Sequence, residues 1–382
     1  MTAAATAVRV RHPPWEALLF PLDEAPGAIL VGDGPLAAVQ ERVCASLGLA
    51  LRDHDASLPL PPGTQLAFTA ASVFSEGAAR ALLDAAQPVQ ATLRAGTALA
   101  RAACRMRGEA ALRVPLWGGP LAGRALDVGA APAAALGEVE RRVVADEEDA
   151  ICERVPPHGR PPHVVELPRV LRLCGEIGHW LDALELSLAA LHTRRRQLGL
   201  LGGTNSLGRK VDIHPTAYVS GSILEDGVRL EPHASVIDSY VGAGVLLADH
   251  SVIAGSVIGA GCRTLVDTSL RRLVAQPDST LSNLGLSDAL IGRGVFLTTA
   301  VSYYGPAPGQ DVVVEGKDTG RALLGGAIGA RAVLGARALL SAGVALPPGV
   351  LIVSKAEEAV ARLDEAGLAR AHARRGSPAT DY

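Results

Sequence analysis

From Ile328 onward the chain places an aliphatic residue at every sixth position: Ile328, Leu334, Leu340, Leu346 and Ile352. A small or β-branched residue stands four places after each of the first four. A period of six fits neither a helix nor a flat strand, which need about 3.6 and 2 residues. It fits a chain that turns a corner every sixth residue, so that each leader points into the axis of a triangular coil. Three sides complete one turn, and stacked turns bury a ladder of aliphatic side chains between parallel strands. Shorter runs share the spacing: Leu224, Leu230, Val236; Val241, Leu247, Ile253; Val252, Ile258. The pairs Val241-Gly242, Ile258-Gly259, Ile291-Gly292, Ile328-Gly329 and Leu334-Gly335 are predicted to mark corners, where glycine tolerates the turning dihedrals.

Upstream the pattern changes. Ala28–Val31 predicts a short buried strand, Gly32-Asp33-Gly34 a turn and the segment from Pro35 a helix. Gln65–Thr69 predicts a second strand, and Ser75 an N-cap for the helix that follows it. These alternations predict an α/β domain over 1–163, closed by the proline-rich stretch Pro156–Pro162. Leu173, Ile177, Trp180, Leu181, Leu184, Leu188 and Leu191 then lie three and four apart, the stripe of an amphipathic linker helix within 164–200. Arg194-Arg195-Arg196 suits that helix's C-terminus. The coil is expected over 201–354 and a last helix and tail over 355–382, the helix at Glu357–Arg375. One segment, about Ser302 to Arg321, interrupts the coil register. Such excursions from a rigid scaffold carry function or are simply tolerated.

Composition narrows the partners. The formal charge is -3 with no dense basic stretch, so nucleic acid is not expected. Only 3% of residues are aromatic, which leaves the packing to Ala, Leu, Val and Gly, as a thin coil requires. Five scattered cysteines without C-x-x-C spacing predict a reducing, cytoplasmic setting rather than disulfides or zinc. No signal-peptide or membrane-spanning stretch is evident.

Candidate chemistry is sparse. Acyl transfer needs a base near the acceptor. His233 and His250 each follow a leader by three places, which puts both on the outer surface as bystanders or as bases; His214, in an IHPTA opening turn, reads as structural. Tyr303 and Tyr304 flank the excursion, and Lys317, one of three lysines, lies in it with Arg321. Together they offer cations for a phosphate or carboxylate and aromatic faces for a sugar or adenine, or else a packed loop with surface cations. Gly118-Gly119-Pro120-Leu121-Ala122-Gly123-Arg124 and Gly32-Asp33-Gly34 need no phosphate as turns, and Asp146–Asp149 reads as a solvated charge run.

An α/β domain, a linker helix and a hexad coil together resemble the bifunctional sugar-1-phosphate nucleotidyltransferase/acetyltransferases of the hexapeptide-repeat superfamily, in a degenerate form. Lys317-Asp318-Thr319-Gly320-Arg321 before Ala327-Ile328-Gly329, and Ser287-Asp288-Ala289-Leu290-Ile291-Gly292, are similar to that family's motifs over about 165–355. The resemblance implies a reduced nucleotidyltransferase-like α/β domain followed by a left-handed parallel β-helix, and the flat, Ala- and Val-bearing walls of such a coil predict a homotrimer. It implies acetyl-CoA as acyl donor, bound along Gly326, Ala327 and Ala342, and a sugar or sugar phosphate held by Asn283, Tyr303, Tyr304, Lys317 and Arg321. His250 or His233 would act as base, because Ser282 or Asn283 stands where the family carries its histidine. Residues 1–209 hold no lysine and no Gly-rich loop bearing a cation at the start, so nucleotidyl transfer and Mg2+ are not expected. A non-catalytic trimeric scaffold is the alternative.

Overall fold

A computed structural model describes residues 5–11, 22–70, 72–74, 76–84, 86, 89–94, 111–123, 140–143, 170–172, 179–282, 284–298, 301–304, 310–314, 317–319 and 322–353. The expectations at Ser75, Leu173, Ile177, Asp146–Asp149 and Glu357–Arg375 lie outside these residues.

The N-terminal part is α/β. A mixed sheet runs in the order Ala50–Asp55, Thr6–Arg11, Thr64–Thr69, Ala111–Gly118, Val89–Arg94, Glu140–Val143. Helices Leu36–Ser46 and Glu76–Leu83 contribute Cys44, Ala79 and Leu82 to a core that includes Leu66, Phe68 and Leu116. The expected strand at 28–31 is shorter: Leu30–Val31 forms a two-residue hairpin with Gly34–Pro35. Gly118 is there for close packing, since a Cβ would come within 2.5 Å of Leu82 Cβ. Val170–Arg172 pairs antiparallel with Ser72–Phe74, so this piece of the expected linker joins the N-terminal part.

From Ser206 onward short strands stack in parallel into three walls, the arrangement of a parallel β-helix. The first wall runs from Ser206–Leu207 through Ile223–Leu224 and Tyr240–Val241 to Ala345–Leu346. A second runs from Asp212–Ile213 to Leu351–Ile352, and a third from Tyr218–Ser220 to Leu284–Ser287. The pair Ser302–Tyr304 and Leu339–Ser341 repeats the third-wall geometry further on. Leu224, Leu230, Val236, Val241, Leu247, Ile253, Ile258, Leu270, Leu281 and Leu297 fill the interior. Each fully buried Leu or Ile contributes about 1.5–3 kcal/mol to the stack.

The period differs from strict sixes. Ile223 pairs with Tyr240, Tyr240 with Val257 and Val257 with Val274, so a coil takes 17 residues. The missing residue comes out of the corner between third and first walls, where Asp238 and Gly255 adopt positive φ directly before a buried serine. There Ser222, Ser239 and Ser256 form a ladder. The Ser222 hydroxyl accepts the N–H of Ser239, that of Ser239 the N–H of Ser256, and that of Ser256 the N–H of Leu273, each at 3.1 Å. Inward positions therefore fall 6, 6 and 5 apart, and Val252, taken above as a leader, is half-buried beside the inward Ile253. Strict spacing by six returns only at the end, where Ala327 pairs with Ala345 in a coil of 18.

The corner glycines also work otherwise than expected. Gly242, Gly259, Gly292 and Gly329 are not at positive φ; a Cβ on any of them would come within 2.5–2.6 Å of backbone in the next coil. Positive φ falls two places later, on Gly244, Gly261, Asp278, Gly294 and Arg331.

The first wall is covered. Its outward residues Ile223, Tyr240, Val257, Val274, Leu290 and Ala327 share one core with Trp180, Leu184 and Leu191 of the helix His179–Gln197 and with Leu22, Ile29, Leu30 and Val31. The amphipathic stripe predicted in the linker is this docking face. Polar contacts fix the dock: Gln276 Oε1 accepts Leu30 N–H at 2.9 Å, Ser187 Oγ donates to Leu30 O at 2.9 Å, and Arg293 bonds Glu24 at 2.5 Å. Arg331 pairs with Asp23, and Arg195 turns inward to Asp238 and to Gly221 O. Gly32 packs against the same helix, where a Cβ would meet Ala190 Cβ at 2.9 Å. The second and third walls keep exposed apolar residues, among them Leu246, Phe296 and Leu351 on the second and Tyr218 and Leu339 on the third.

Candidate functional site

His233 and His250 occupy the corner between the second and third walls in successive coils. Both have φ 59°, and Asp267 follows one coil on at φ 60°. Backbone bonds His250 N–H to Pro232 O and Asp267 N–H to Asp249 O, each 3.0 Å, repeat the corner and bring like positions into a column. The two imidazoles stack, with centroids 4.9 Å apart and planes inclined by 15°. Both residues are exposed. The column is anchored below by Thr216, whose Oγ1 accepts His233 N–H at 2.9 Å while His214 Nδ1 accepts Thr216 N–H at 3.2 Å. His214 is thus structural, as read from the opening turn. Positive φ costs a non-glycine residue about 1–2 kcal/mol, which makes two histidines in this conformation a notable choice.

Of the residues expected to bind substrate, Tyr303 is the one whose side chain is described, and it lies elsewhere. Tyr303 sits on the coil of Leu297, three coils beyond the coil of His250, or about 14 Å along the axis at the usual strand spacing. Its ring packs with the coil interior and would lie 2.8 Å from a Cβ on Gly326, and its hydroxyl is enclosed without a partner. Burial alone pushes that phenol upward from its ordinary value. The ring is packing material, so the stacking face expected of Tyr303 is turned inward.

The described part of the excursion forms a short hairpin. Val313–Val314 pairs antiparallel with Lys317–Asp318, and Thr319 closes the hairpin through its Oγ1–H and N–H to Val312 O at 2.7 and 3.1 Å. Val312 and Val314 pack down over Gly343, within 3.0 Å of where a Cβ would stand. Asn283 and Arg321, and the side chains of Tyr304 and Lys317, lie outside the described residues. Of the expected acetyl-CoA contacts, Gly326 is buried between Val344 O and Tyr303, Ala327 is fully buried on the covered wall, and Ala342 packs against the same core. Tyr303 and Gly326 thus stand side by side, three coils from His250.

Sequence reasoning passed over a second cluster. Asp33 bonds Arg194 at 2.7 Å and pairs with Arg42, so the Gly32-Asp33-Gly34 turn has cations beside it, both engaged by its own carboxylate. Glu225 lies close by. Burial first, then Asp33 and Asp226, push its carboxyl above the ordinary range. Tyr240 is 7% exposed, and burial first, then Glu225 and Asp33, raise its phenol. The described cysteines are inert: burial pushes Cys44 up to about 11 and Cys262 up to about 12.

Among the described residues no three His, Cys, Asp or Glu side chains gather as a metal site, and no helix is long and apolar enough to cross a membrane. No family model matches the chain, and no curated protein matches its sequence.

Proposed function

We propose that the chain is an acyltransferase of the hexapeptide class, a left-handed β-helix that works as a homotrimer and uses the His233–His250 corner as its basic site. The stacked, exposed imidazole pair carries this reading. It lies on the one corner flanked by the two walls that the docking helix leaves bare. Exposed Leu246, Phe296, Leu351, Tyr218 and Leu339 on those walls suit burial against further copies of the chain.

In this reading His250 or His233 removes the proton from an acceptor amine or hydroxyl of a sugar or sugar phosphate as it attacks the thioester carbonyl of acetyl-CoA. The tetrahedral adduct then expels the CoA thiolate, which takes up a proton. With Gly326 and Ala327 buried, the donor would lie along the bare walls beside the histidines. Calorimetry with acetyl-CoA tests it: saturable binding by the assembled chain, and thiol release that falls by about a hundredfold or more in His250→Asn or His233→Asn, support it. Absence of binding at millimolar acetyl-CoA, or full turnover in both variants, contradicts it.

A second reading, a non-catalytic trimeric scaffold, is favoured by one observation. The wall along which the donor was expected is filled by the chain's own helix and N-terminal segment. Trimerisation without acetyl-CoA binding would select it.

A further inference from the structure

The corner between the second and third walls repeats in register. Thr216, His233, His250 and Asp267 stand at the same place in four successive coils. The backbones of the two histidines are pinned: His233 N–H donates to Thr216 Oγ1 at 2.9 Å, and His250 N–H to Pro232 O at 3.0 Å. Both hold φ 59°, a conformation that glycine or asparagine takes more readily and that costs histidine about 1–2 kcal/mol. A costly residue kept twice in one column points to a use for its side chain.

The rings show what that use is. The imidazoles lie face to face on an exposed corner, with centroids 4.9 Å apart and planes inclined by 15°. Among the described residues both histidines bond through their backbone N–H, and no hydrogen bond holds a ring nitrogen of either. His214, in the coil below, differs, since its Nδ1 is engaged by Thr216. Both stacked rings are therefore free to turn about Cβ–Cγ. Two nitrogens that share one transition-metal ion, each about 2 Å from it, stand about 3 Å apart. Rings already 4.9 Å apart reach that spacing by a pivot, with no movement of the coil. Imidazole suits zinc, nickel and copper rather than magnesium or calcium. Asp267 lies two strand spacings from His233, about 9.6 Å along the axis, too far to share an ion with it. Its exposed carboxylate adds negative charge at one end of the pair.

We propose that His233 and His250 form a two-histidine site for a divalent transition ion of the zinc, nickel and copper class. Each ring gives one nitrogen, and water fills the remaining positions. The site does not rest on acyl transfer. Where both readings hold, the ion occupies the nitrogens that would otherwise take the acceptor's proton, so metal and catalysis compete.

Calorimetric titration of the full chain with NiCl2, and with MgCl2 as the hard-ion control, tests the proposal. One Ni2+ per chain should bind saturably, and Mg2+ should not. His233→Asn and His250→Asn should each weaken Ni2+ by about tenfold or more, as loss of a chelating ring requires. The melting temperature should not change, because asparagine accepts the left-handed backbone. The double variant should bind no more weakly than either single one, since the chelate is already gone. Equal heats from the two ions, two independent Ni2+ per chain with additive losses, undiminished Ni2+ binding in either variant, or no saturable Ni2+ binding by the folded chain would each overturn the assignment. None of these readouts uses acetyl-CoA, so failure of the metal site and failure of the acyltransferase reading are told apart.

Discussion

Gln276 Oε1 accepts the backbone N–H of Leu30, 246 positions earlier in the chain, at 2.9 Å in a fully buried contact. It is the polar centre of the dock between the N-terminal segment and the first wall. Gln276→Ala leaves Leu30 N–H buried and unpaired, at a cost of about 1–3 kcal/mol. The loss should be local: hydrogen exchange over 22–36 should accelerate, while the amides of the coil interior keep their protection.

The serine ladder gives a sharper stability test. Ser239→Ala removes the acceptor of the Ser256 N–H, which is buried in a tight corner. Urea unfolding should show a loss of about 1–3 kcal/mol. Ser239→Gly should be no better, because the lost acceptor rather than the side-chain volume sets the cost.

Two kinds of glycine should respond differently to alanine. Gly259→Ala places a Cβ 2.5 Å from Pro277 N and forces neighbouring coils apart, with an expected loss of about 1–3 kcal/mol and a disturbed stack. Gly244→Ala meets nothing within 4 Å but holds φ 67°, so only the left-handed cost of about 1–2 kcal/mol applies and the stack stays intact. Near-ultraviolet circular dichroism and melting together separate the two.

These positions show what the sequence made legible. The ladder of Ile and Leu identified a coil because an inward side chain is buried whatever its neighbours do. The length of a coil was not legible from the same residues. It depends on the third corner, whose signal is Ser222, Ser239 and Ser256 at intervals of 17 rather than any aliphatic. The Gly pairs read in sequence as dihedral freedom, since close approach between coils is invisible until the coils are stacked. The linker stripe predicted a helix with one buried face, and Trp180, Leu184 and Leu191 bury it as expected. Nothing local said that this face would close the wall on which Ala327 lies. The offset of His233 and His250 from Leu230 and Leu247 predicts their surface position, whereas their stacking follows from the coil repeat.

Acid should loosen the dock through His192. This residue lies on the docking helix, its Nε2 is buried without a partner, and burial followed by the nearby Arg195 lowers its proton affinity; Asp238 opposes and Arg196 adds to the effect. A base with a depressed folded value binds protons more readily when unfolded. Its contribution is therefore present above about pH 6.5, the unfolded value, and is lost as pH falls toward the lower folded value. Melting curves across that window should be steeper in pH for the wild type than for His192→Gln.

The stacked corner is the most direct place to test the functional account. Carbethoxylation of His233 and His250 by diethylpyrocarbonate, read by peptide mass spectrometry with and without saturating acetyl-CoA, asks whether the donor lies there. The account predicts that acetyl-CoA shields both imidazoles while the partly exposed His54, far along the chain, reacts unchanged. Equal labelling of His233 and His250 with and without acetyl-CoA would contradict it.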